Sequence, residues 1–162
     1  MASTSISLTY AFTLRVHIAV PPYPIGQTPS GLRAYYDIQG GTIKGPGINA
    51  TIQRGGEDSL LQRTDGWANL DIHYPAVTEE GEWLYVRYIG ITQGTEALSK
   101  AFSKDPSAKS TDFEDQYMRV TPSFETSSER LAWLNKAVFV GKGNVDVTPE
   151  GTFVVYECFK VD

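Results

Sequence analysis

Hydrophobic and polar residues alternate along most of the chain, with the period of two that predicts β-strands. The clearest case is LTYAFTLRVHIA (residues 8–19), in which six apolar side chains face one way and the residues between them face the other. A second alternation, WANLDIHY (67–74), follows directly after the pair Asp65-Gly66. Because Asp-Gly between two alternating segments is a strong hairpin signal, we predict that a strand over 60–64 turns back into this one.

Shorter runs of β-branched and aromatic residues continue the pattern, separated by glycine and proline. We predict further strands over residues 32–38, 42–44, 48–54, 82–91, 116–124, 136–141 and 152–161. Four prolines in VPPYPIGQTPSG (20–31) predict that this segment forms no regular element, since proline removes backbone donors.

Helical signals are few. Residues 95–102 predict a helix of one or two turns, and TSSE (126–129) has the capping-box spacing that precedes a short helix. Residues 104–115 read as a polar loop. Eight to ten short strands with almost no helix predict one all-β domain over residues 1–162, folded as an antiparallel barrel or sandwich.

Composition narrows the functional classes. A net charge of −5 and a pI near 5.0 argue against nucleic-acid binding. Apolar runs are too short to span a bilayer, no signal peptide is evident, and the single Cys158 excludes an internal disulfide, so we expect a cytoplasmic protein that binds no membrane. Two histidines 56 positions apart and no dinucleotide fingerprint predict that neither a metal nor another cofactor is needed.

The pair Asp71 and His73 is the strongest acid–base candidate, because residues two apart on a strand share a face. Asp71 would orient the imidazole, and His73 would act as a base that titrates near neutral pH. This requires that the polar face of the strand line a pocket. The alternative is a solvated outer face on which neither group has a catalytic role.

Two later strands each place an arginine beside a tyrosine. Arg87 lies with Tyr85 on one strand, and Arg119 with Tyr117 on the other. Such pairs could present cationic and hydroxyl donors to an enolate, a carboxylate or a phenolate. The alternative is that the arginines point outward and lie over aromatic rings as cation–π pairs.

Four further residues are candidates for substrate binding. Glu125 is a candidate base or a partner for the N-terminus of the following helix, and Asn135 would fix a substrate carbonyl or cap that helix. Trp133 would hold a flat ligand by its ring, and Arg33, which precedes two tyrosines, would gate the mouth of a barrel.

Several short motifs in order resemble the DUF3237 family over nearly the whole chain. They are FTLRVHIAVPP (12–22), GGTIKGP (40–46), RGGEDSLLQRTDGWANLDIHY (54–74), LYVRYIGI (84–91), YMRVTPSFET (117–126) and AWLNKAVFVG (132–141). The resemblance implies a compact antiparallel β-barrel and favours an inward-facing polar side of the 67–74 strand. Members often have arginine where His73 stands, GGADW where GGEDS (55–59) stands, and paired arginines near Arg33.

The resemblance also supplies a function. Some fungal members are associated with isomerase or cyclase steps of secondary metabolism on phenolic substrates of the chalcone type. Our leading hypothesis is therefore a cofactor-independent isomerase or cyclase that closes a ring in a phenolic or polyketide-type molecule. The alternatives are a non-catalytic, lipocalin-like binding protein and a purely structural module. A homodimer is compatible with each, because an open sheet edge invites pairing.

Overall fold

The computed structural model describes residues 4–162, which form ten β-strands, one α-helix and one 3₁₀ helix. The strands are β1 (Leu8–Ile18), β2 (Tyr23–Thr28), β3 (Gly31–Gly45), β4 (Ile48–Ile52), β5 (Glu57–Gln62), β6 (Trp67–Thr78), β7 (Trp83–Gln93), β8 (Met118–Glu125), β9 (Phe139–Thr148) and β10 (Gly151–Val161). The α-helix is α1 (Glu96–Phe102), and the 3₁₀ helix covers Ala132–Lys136. No helix within residues 4–162 is long and apolar enough to cross a bilayer.

The strands close into an antiparallel barrel, as predicted. Pairing runs from β1 through β10, β9, β8 and β7 to β6, and β4 and β5 both link β6 to β3. β3 then pairs with β1 and completes the ring. The result is a closed eight-stranded barrel with two extra strands. β2 adds to the edge of β3.

Strand β3 replaces two shorter predicted strands and makes the closure possible. Its first part pairs with β5, and its second part pairs with β4 and β1. Gly40 and Gly41 lie between these parts with φ angles of +144° and +135°, which disfavour other residues. A Cβ atom on Gly41 would lie 2.0 Å from the carbonyl oxygen of Arg15 on β1. Glycine is therefore needed where the barrel closes.

Two sequence-based assignments were wrong, those of residues 23–28 and of the end of β9, whereas the short helix after residues 126–129 is present in a tighter form. Residues 23–28 form β2 despite their prolines, because an edge strand can leave one row of donors unpaired. The helix predicted after the 126–129 motif is a single 3₁₀ segment over Ala132–Lys136. Strand β9 begins at Phe139 and extends to Thr148, beyond the predicted end at residue 141. The Asp65-Gly66 turn between β5 and β6 was predicted correctly: Asp65 Oδ1 accepts a hydrogen bond from the backbone N–H of Trp67.

The inner face of β6 is apolar, which corrects the expectation of an inward polar side. Ala68, Leu70, Ile72 and Tyr74 are buried inside the barrel. Trp67, Asn69, Asp71 and His73 consequently lie on the outside, since successive side chains point to opposite faces. The apolar set takes the interior because burying it removes far more apolar surface from water.

Aromatic rings fill the centre of the barrel and one end of it. Tyr88 packs edge-to-face against Tyr74 and Tyr156, with centroid distances of 5.9 and 5.4 Å. Phe12, Phe124 and Phe139 close the end beside the 3₁₀ helix. At the opposite end the inner-face residues are smaller: Ala34, Ala68 and Thr92. This difference leaves the second end open, beneath α1.

Candidate functional site

Two cavities of similar size lie at different places on the barrel. The mouth pocket, about 740 Å³, opens at the end of the barrel beneath α1. The outer groove, about 800 Å³, runs across the outer faces of β5 to β8. Both volumes lie in the range of small-molecule sites, so chemistry rather than size has to distinguish them.

The mouth pocket is an apolar chamber. Its walls come from the proline-rich segment before β3, from the inner faces of β3, β5 and β6, and from α1. Its larger apolar contributors are Pro22, Leu32, Leu60, Leu98 and Phe102, and Trp67, at the start of β6, borders its rim. Glu96, at the rim, is the one carboxylate among its described lining residues, and it pairs with Lys100 at 2.8 Å. The chamber therefore suits an uncharged, largely apolar molecule.

A buried carboxyl group lies below this chamber. Asp58 shares the inner face of β5 with Leu60, so it sits one inward position deeper, about 7 Å along the strand. Asp58 is 8% exposed, and its Oδ1 atom has no hydrogen-bond partner within residues 4–162. Burial raises the pKa of Asp58 to about 7, although a hydrogen bond from the backbone of Asp71 opposes that rise. At neutral pH this carboxyl group can therefore both accept and return a proton.

Tyr36 connects Asp58 with the chamber. It pairs with Asp58 in the register of β3 and β5, lines the mouth pocket, and packs its ring 5.7 Å from that of Phe102. Burial and the neighbouring Asp58 charge raise the pKa of Tyr36 well above its ordinary value of 10.0. The hydroxyl group therefore keeps its proton and can serve as a hydrogen-bond donor.

Deeper tyrosines surround the same carboxyl group. Tyr88 and Tyr156 are each 2% exposed, and burial raises the pKa of both far above the ordinary value, with a further contribution from the charge of Asp58. Asp58 thus faces an interior of neutral phenols, and no cation within residues 4–162 lowers its pKa. Chemically, the arrangement pairs a candidate general acid–base with a phenolic donor: Tyr36 lines the cavity, whereas Asp58 lies behind the lining, beside Tyr36 in the strand register.

The predicted Asp71–His73 pair does not form. Asp71 accepts two hydrogen bonds from Arg87, from Nε to Oδ1 and from Nη2 to Oδ2, each 3.2 Å long. His73 instead approaches Glu57, with 3.7 Å between Nε2 and Oε1, and its ring lies 6.3 Å from that of Tyr85. All of these side chains lie on the outside of the barrel, so Asp71 orients Arg87 rather than the imidazole. A catalytic role for His73 stays a prediction.

Other predicted residues come together in the outer groove. Arg33, Asp71, Tyr117 and Arg119 all line it. The guanidinium of Arg119 lies over the ring of Tyr117 at 4.5 Å, which is the cation–π alternative. Arg33 donates from Nη1 to the carbonyl oxygen of Ser59 at 3.0 Å. Arg33 therefore lies on the outer face of β3 and does not line the mouth pocket, and its gating role stays a prediction.

The remaining candidates lie apart from both cavities. Tyr85 and Glu125 pair across β7 and β8 and line a shallow surface depression. Trp133 is half-buried and packs its ring edge-to-face against Phe139 at 6.0 Å. Asn135 binds the backbone of Thr126 twice, through Oδ1 and Nδ2, at 2.9 Å each. The contacts of Asn135 and Trp133 thus hold the segment after β8 in place.

Sequence reasoning missed Asp58 and Tyr36. The predicted strand began at Leu60, whereas β5 begins at Glu57. Extending the alternation of GGEDSLLQ back by two residues would have put Asp58 on the face of Leu60 and exposed a carboxyl group among core positions. A carboxyl group two positions before Leu60, on the same face of the strand, was the available signal.

No group of three or more His, Cys, Asp or Glu side chains within residues 4–162 is arranged to hold a metal ion. Cys158 is fully buried, and burial raises the pKa of its thiol well above the ordinary value of 9.0. It therefore behaves as the small buried hydrophobe that its strand position indicates.

This geometry defines a small closed β-barrel with an apolar end pocket. A sequence model of DUF3237, a family described as proteins of unknown function, matches residues 6–161, and the chain belongs to this family. A UPF0311 protein of Rhodopseudomonas palustris is 30% identical over 138 residues, covering 85% of this chain and 87% of the relative. A UPF0311 protein of Clostridium acetobutylicum is 31% identical over 124 residues, covering 74% of each.

Solved structures share the fold. A conserved protein of unknown function from Rhodopseudomonas palustris superposes with a TM-score of 0.83 at 26% identity, covering 99% of this chain and 100% of that one. A structure described as an enzyme from Penicillium herquei superposes with a TM-score of 0.67 at 22% identity, covering 100% and 98%. At that identity the second likeness establishes the fold alone.

Proposed function

We propose that the protein is a cofactor-independent enzyme that isomerises or cyclises a flat phenolic or polyketide-type molecule in the mouth pocket. The observation that carries the proposal is Asp58, an ionisable group held without a cation below an apolar chamber. A protein gains no stability from such a group, because burying an unpaired carboxyl group disfavours its charged form. A proton-transfer role explains why the position is not apolar.

Asp58 is the general acid–base in this proposal, and Tyr36 is the hydrogen-bond donor. In a closure of the chalcone type, the Asp58 carboxylate takes the phenolic proton while the phenol oxygen forms a C–O bond to the β-carbon of an enone. The π electrons move to the carbonyl oxygen, which Tyr36 stabilises by donating its hydroxyl hydrogen. Asp58 then returns the proton to the α-carbon, so the product is an isomer of the substrate and no oxidant or reductant is consumed.

Two further features support this assignment. The apolar walls lower the polarity around a bound substrate and so strengthen electrostatic interactions at the reacting atoms. The structure described as an enzyme from Penicillium herquei has the same fold, so a barrel of this kind supports catalysis in at least one protein.

The test uses 2′-hydroxychalcone as the probe and follows formation of the isomeric flavanone by chromatography between pH 5 and pH 9, after subtraction of the uncatalysed rate. Wild-type protein should accelerate closure, with a rate that rises through a pH of about 7. Asp58→Asn should lose about a hundredfold or more of that acceleration. Glu129→Gln is the control, since it removes an exposed surface carboxylate outside both cavities and should keep the rate within about twofold.

Three results would contradict the proposal in different ways. Full activity of Asp58→Asn would remove Asp58 from the mechanism. Binding of the probe, measured by quenching of tryptophan fluorescence, without any flavanone would favour the lipocalin-like binding protein. If the probe causes neither quenching nor conversion, this phenolic class is excluded as the ligand.

A further inference from the structure

The outer groove has a charge pattern that the mouth pocket lacks. One register row crosses the outer face of the sheet from Arg33 through Leu61, Asn69 and Ile91 to Arg119. Within the outer groove the row begins and ends on a guanidinium group, and its middle is neutral. Beyond Arg119 the row continues on β9 to Lys142, which is outside the groove lining and pairs with Glu157. This pattern occurs in a protein whose net charge is −5.

The two guanidinium groups are unusual among the arginines of this chain. Within residues 4–162, four of the seven arginines form ion pairs with carboxylates, whereas Arg33, Arg119 and Arg54 do not. Arg54 is exposed to solvent, but Arg33 and Arg119 are half-buried. Each donates a hydrogen bond to a backbone carbonyl oxygen, Arg33 to Ser59 and Arg119 to Met118, and Arg119 also lies over the ring of Tyr117. Neither has a negative charge beside it to compensate the hydration that a half-buried cation loses. Asp71 lines the groove but is bound to Arg87, so it does not neutralise either end.

The spacing of the two cations defines the length of a ligand. The hydrogen bond to Ser59 brings the Arg33 guanidinium over β5, and Arg119 lies on β8, three strands away. At about 4.8 Å per strand the cations are separated by about 14 Å along the sheet. Between them the groove presents large apolar side chains to solvent: Ile89, Ile91 and Tyr117 are 55%, 39% and 45% exposed.

We infer that the outer groove is a second binding site, separate from the mouth pocket, for an elongated molecule with an apolar, preferably aromatic, middle and an acidic group at each end. Arg33 and Arg119 bind the two anionic ends by charge-assisted hydrogen bonds. Ile89 and Ile91 contact the middle of the ligand, and Tyr117 stacks against it beside Trp67, whose ring lies 5.7 Å from that of Tyr117.

The experiment is isothermal titration calorimetry with biphenyl-4,4′-dicarboxylate, whose carboxylates stand at opposite ends of a rigid aromatic rod. Arg33→Ala and Arg119→Ala should each weaken binding by about tenfold or more, and the lysine variants should recover part of the loss. Arg54→Ala removes one cation outside the groove and should leave the affinity within about twofold. Affinity should also fall as salt is raised, because ionic strength screens these contacts.

Three outcomes would overturn the inference. The first is no binding of the dicarboxylate by the wild-type protein at low salt. The second is affinity in both alanine variants equal to that of Arg54→Ala. The third is equal affinity for the neutral 4,4′-bis(hydroxymethyl)biphenyl, which would indicate capture by an apolar cavity such as the mouth pocket. If an alanine variant fails to fold, as judged by circular dichroism, the lysine variant of the same position is titrated in its place. A loss of affinity relative to the wild-type protein then supports the inference, and an unchanged affinity opposes it.

Discussion

Replacing Asp58 by asparagine should stabilise the folded protein at alkaline pH. The side chain keeps its shape, but the group that resists ionisation is removed. In the folded protein the pKa of Asp58 is raised to about 7 from an ordinary value of 3.8. Between these two pH values the folded protein holds a proton that the unfolded chain has released, so its stability falls as pH rises. Below about pH 4 this penalty is absent, and above pH 7 it is complete.

The size of the penalty follows from the same two values. Each pKa unit corresponds to about 1.4 kcal/mol, so the rise from 3.8 to about 7 amounts to about 4 kcal/mol. That is a large part of the free energy of unfolding of an ordinary domain, about 5–15 kcal/mol. The wild-type protein should therefore be less stable than Asp58→Asn by about 4 kcal/mol at pH 8, relative to their difference at pH 4.

Urea unfolding followed by tryptophan fluorescence, at half-unit steps from pH 4 to pH 8.5, measures this difference. Other groups with altered pKa values contribute equally to both proteins: the partners of Glu82 lower its pKa, and burial lowers that of His17. Subtraction therefore isolates Asp58. Glu129→Gln removes one exposed surface carboxylate, and its difference profile should stay within about 0.5 kcal/mol. A flat profile for Asp58→Asn would refute the reasoning, because it would mean that the carboxyl group ionises as readily in the folded protein as in the unfolded one.

Three smaller changes test other parts of the structure. Gly41→Ala should destabilise the protein by about 3 kcal/mol or more, because it adds a Cβ atom at a positive φ where β3 meets the backbone of β1. A shift in the urea midpoint worth less than about 1 kcal/mol would contradict this. Asn135→Ala removes both hydrogen bonds to Thr126 and should cost about 2 kcal/mol in the same assay, with Asn135→Asp, which keeps the acceptor oxygen, costing less. Asp71→Asn should move the pH-dependent loss of stability to lower pH, because the negative charge of Asp71 helps to raise the pKa of Asp58; an unchanged or higher midpoint would disprove that coupling.

The barrel was predictable from sequence because its strands follow from local patterns of alternation and turn residues. Alternation over residues 8–19 and 67–74 sets which side chains can share an inner face, and the Asp65-Gly66 turn joins β5 to β6. β2 was not predictable in this way, because its pairing depends on the neighbouring β3 rather than on its own proline-rich residues. Nor does any local pattern show that Gly40 and Gly41 bend one long strand rather than separate two short ones.

The candidate site was harder to predict than the fold. Polar residues on a predicted strand are natural candidates for catalysis, but Asp71 and His73 are polar because they face the outside of the barrel. The sequence did not indicate Asp58 as a site residue, because Glu57, Asp58 and Ser59 together resemble a polar turn. Its importance depends on burial, and burial depends on which face of β5 closes over the interior. That choice is made by the whole barrel, so sequence alone could indicate it only through the position of Leu60.

The two faces of β6 have different surroundings, and Asp71 contacts groups on both sides of the strand. Its backbone donates a hydrogen bond to the buried Asp58, while its side chain, held by Arg87, lines the outer groove. An anion bound in that groove adds negative charge on the side of the strand opposite Asp58. Negative charge near a carboxyl group favours its protonated form, so occupancy of the groove should raise the pKa of Asp58 further. At a fixed neutral pH a smaller fraction of Asp58 would then be ionised when the outer site is filled, so less of the proposed catalytic base would be in its active form.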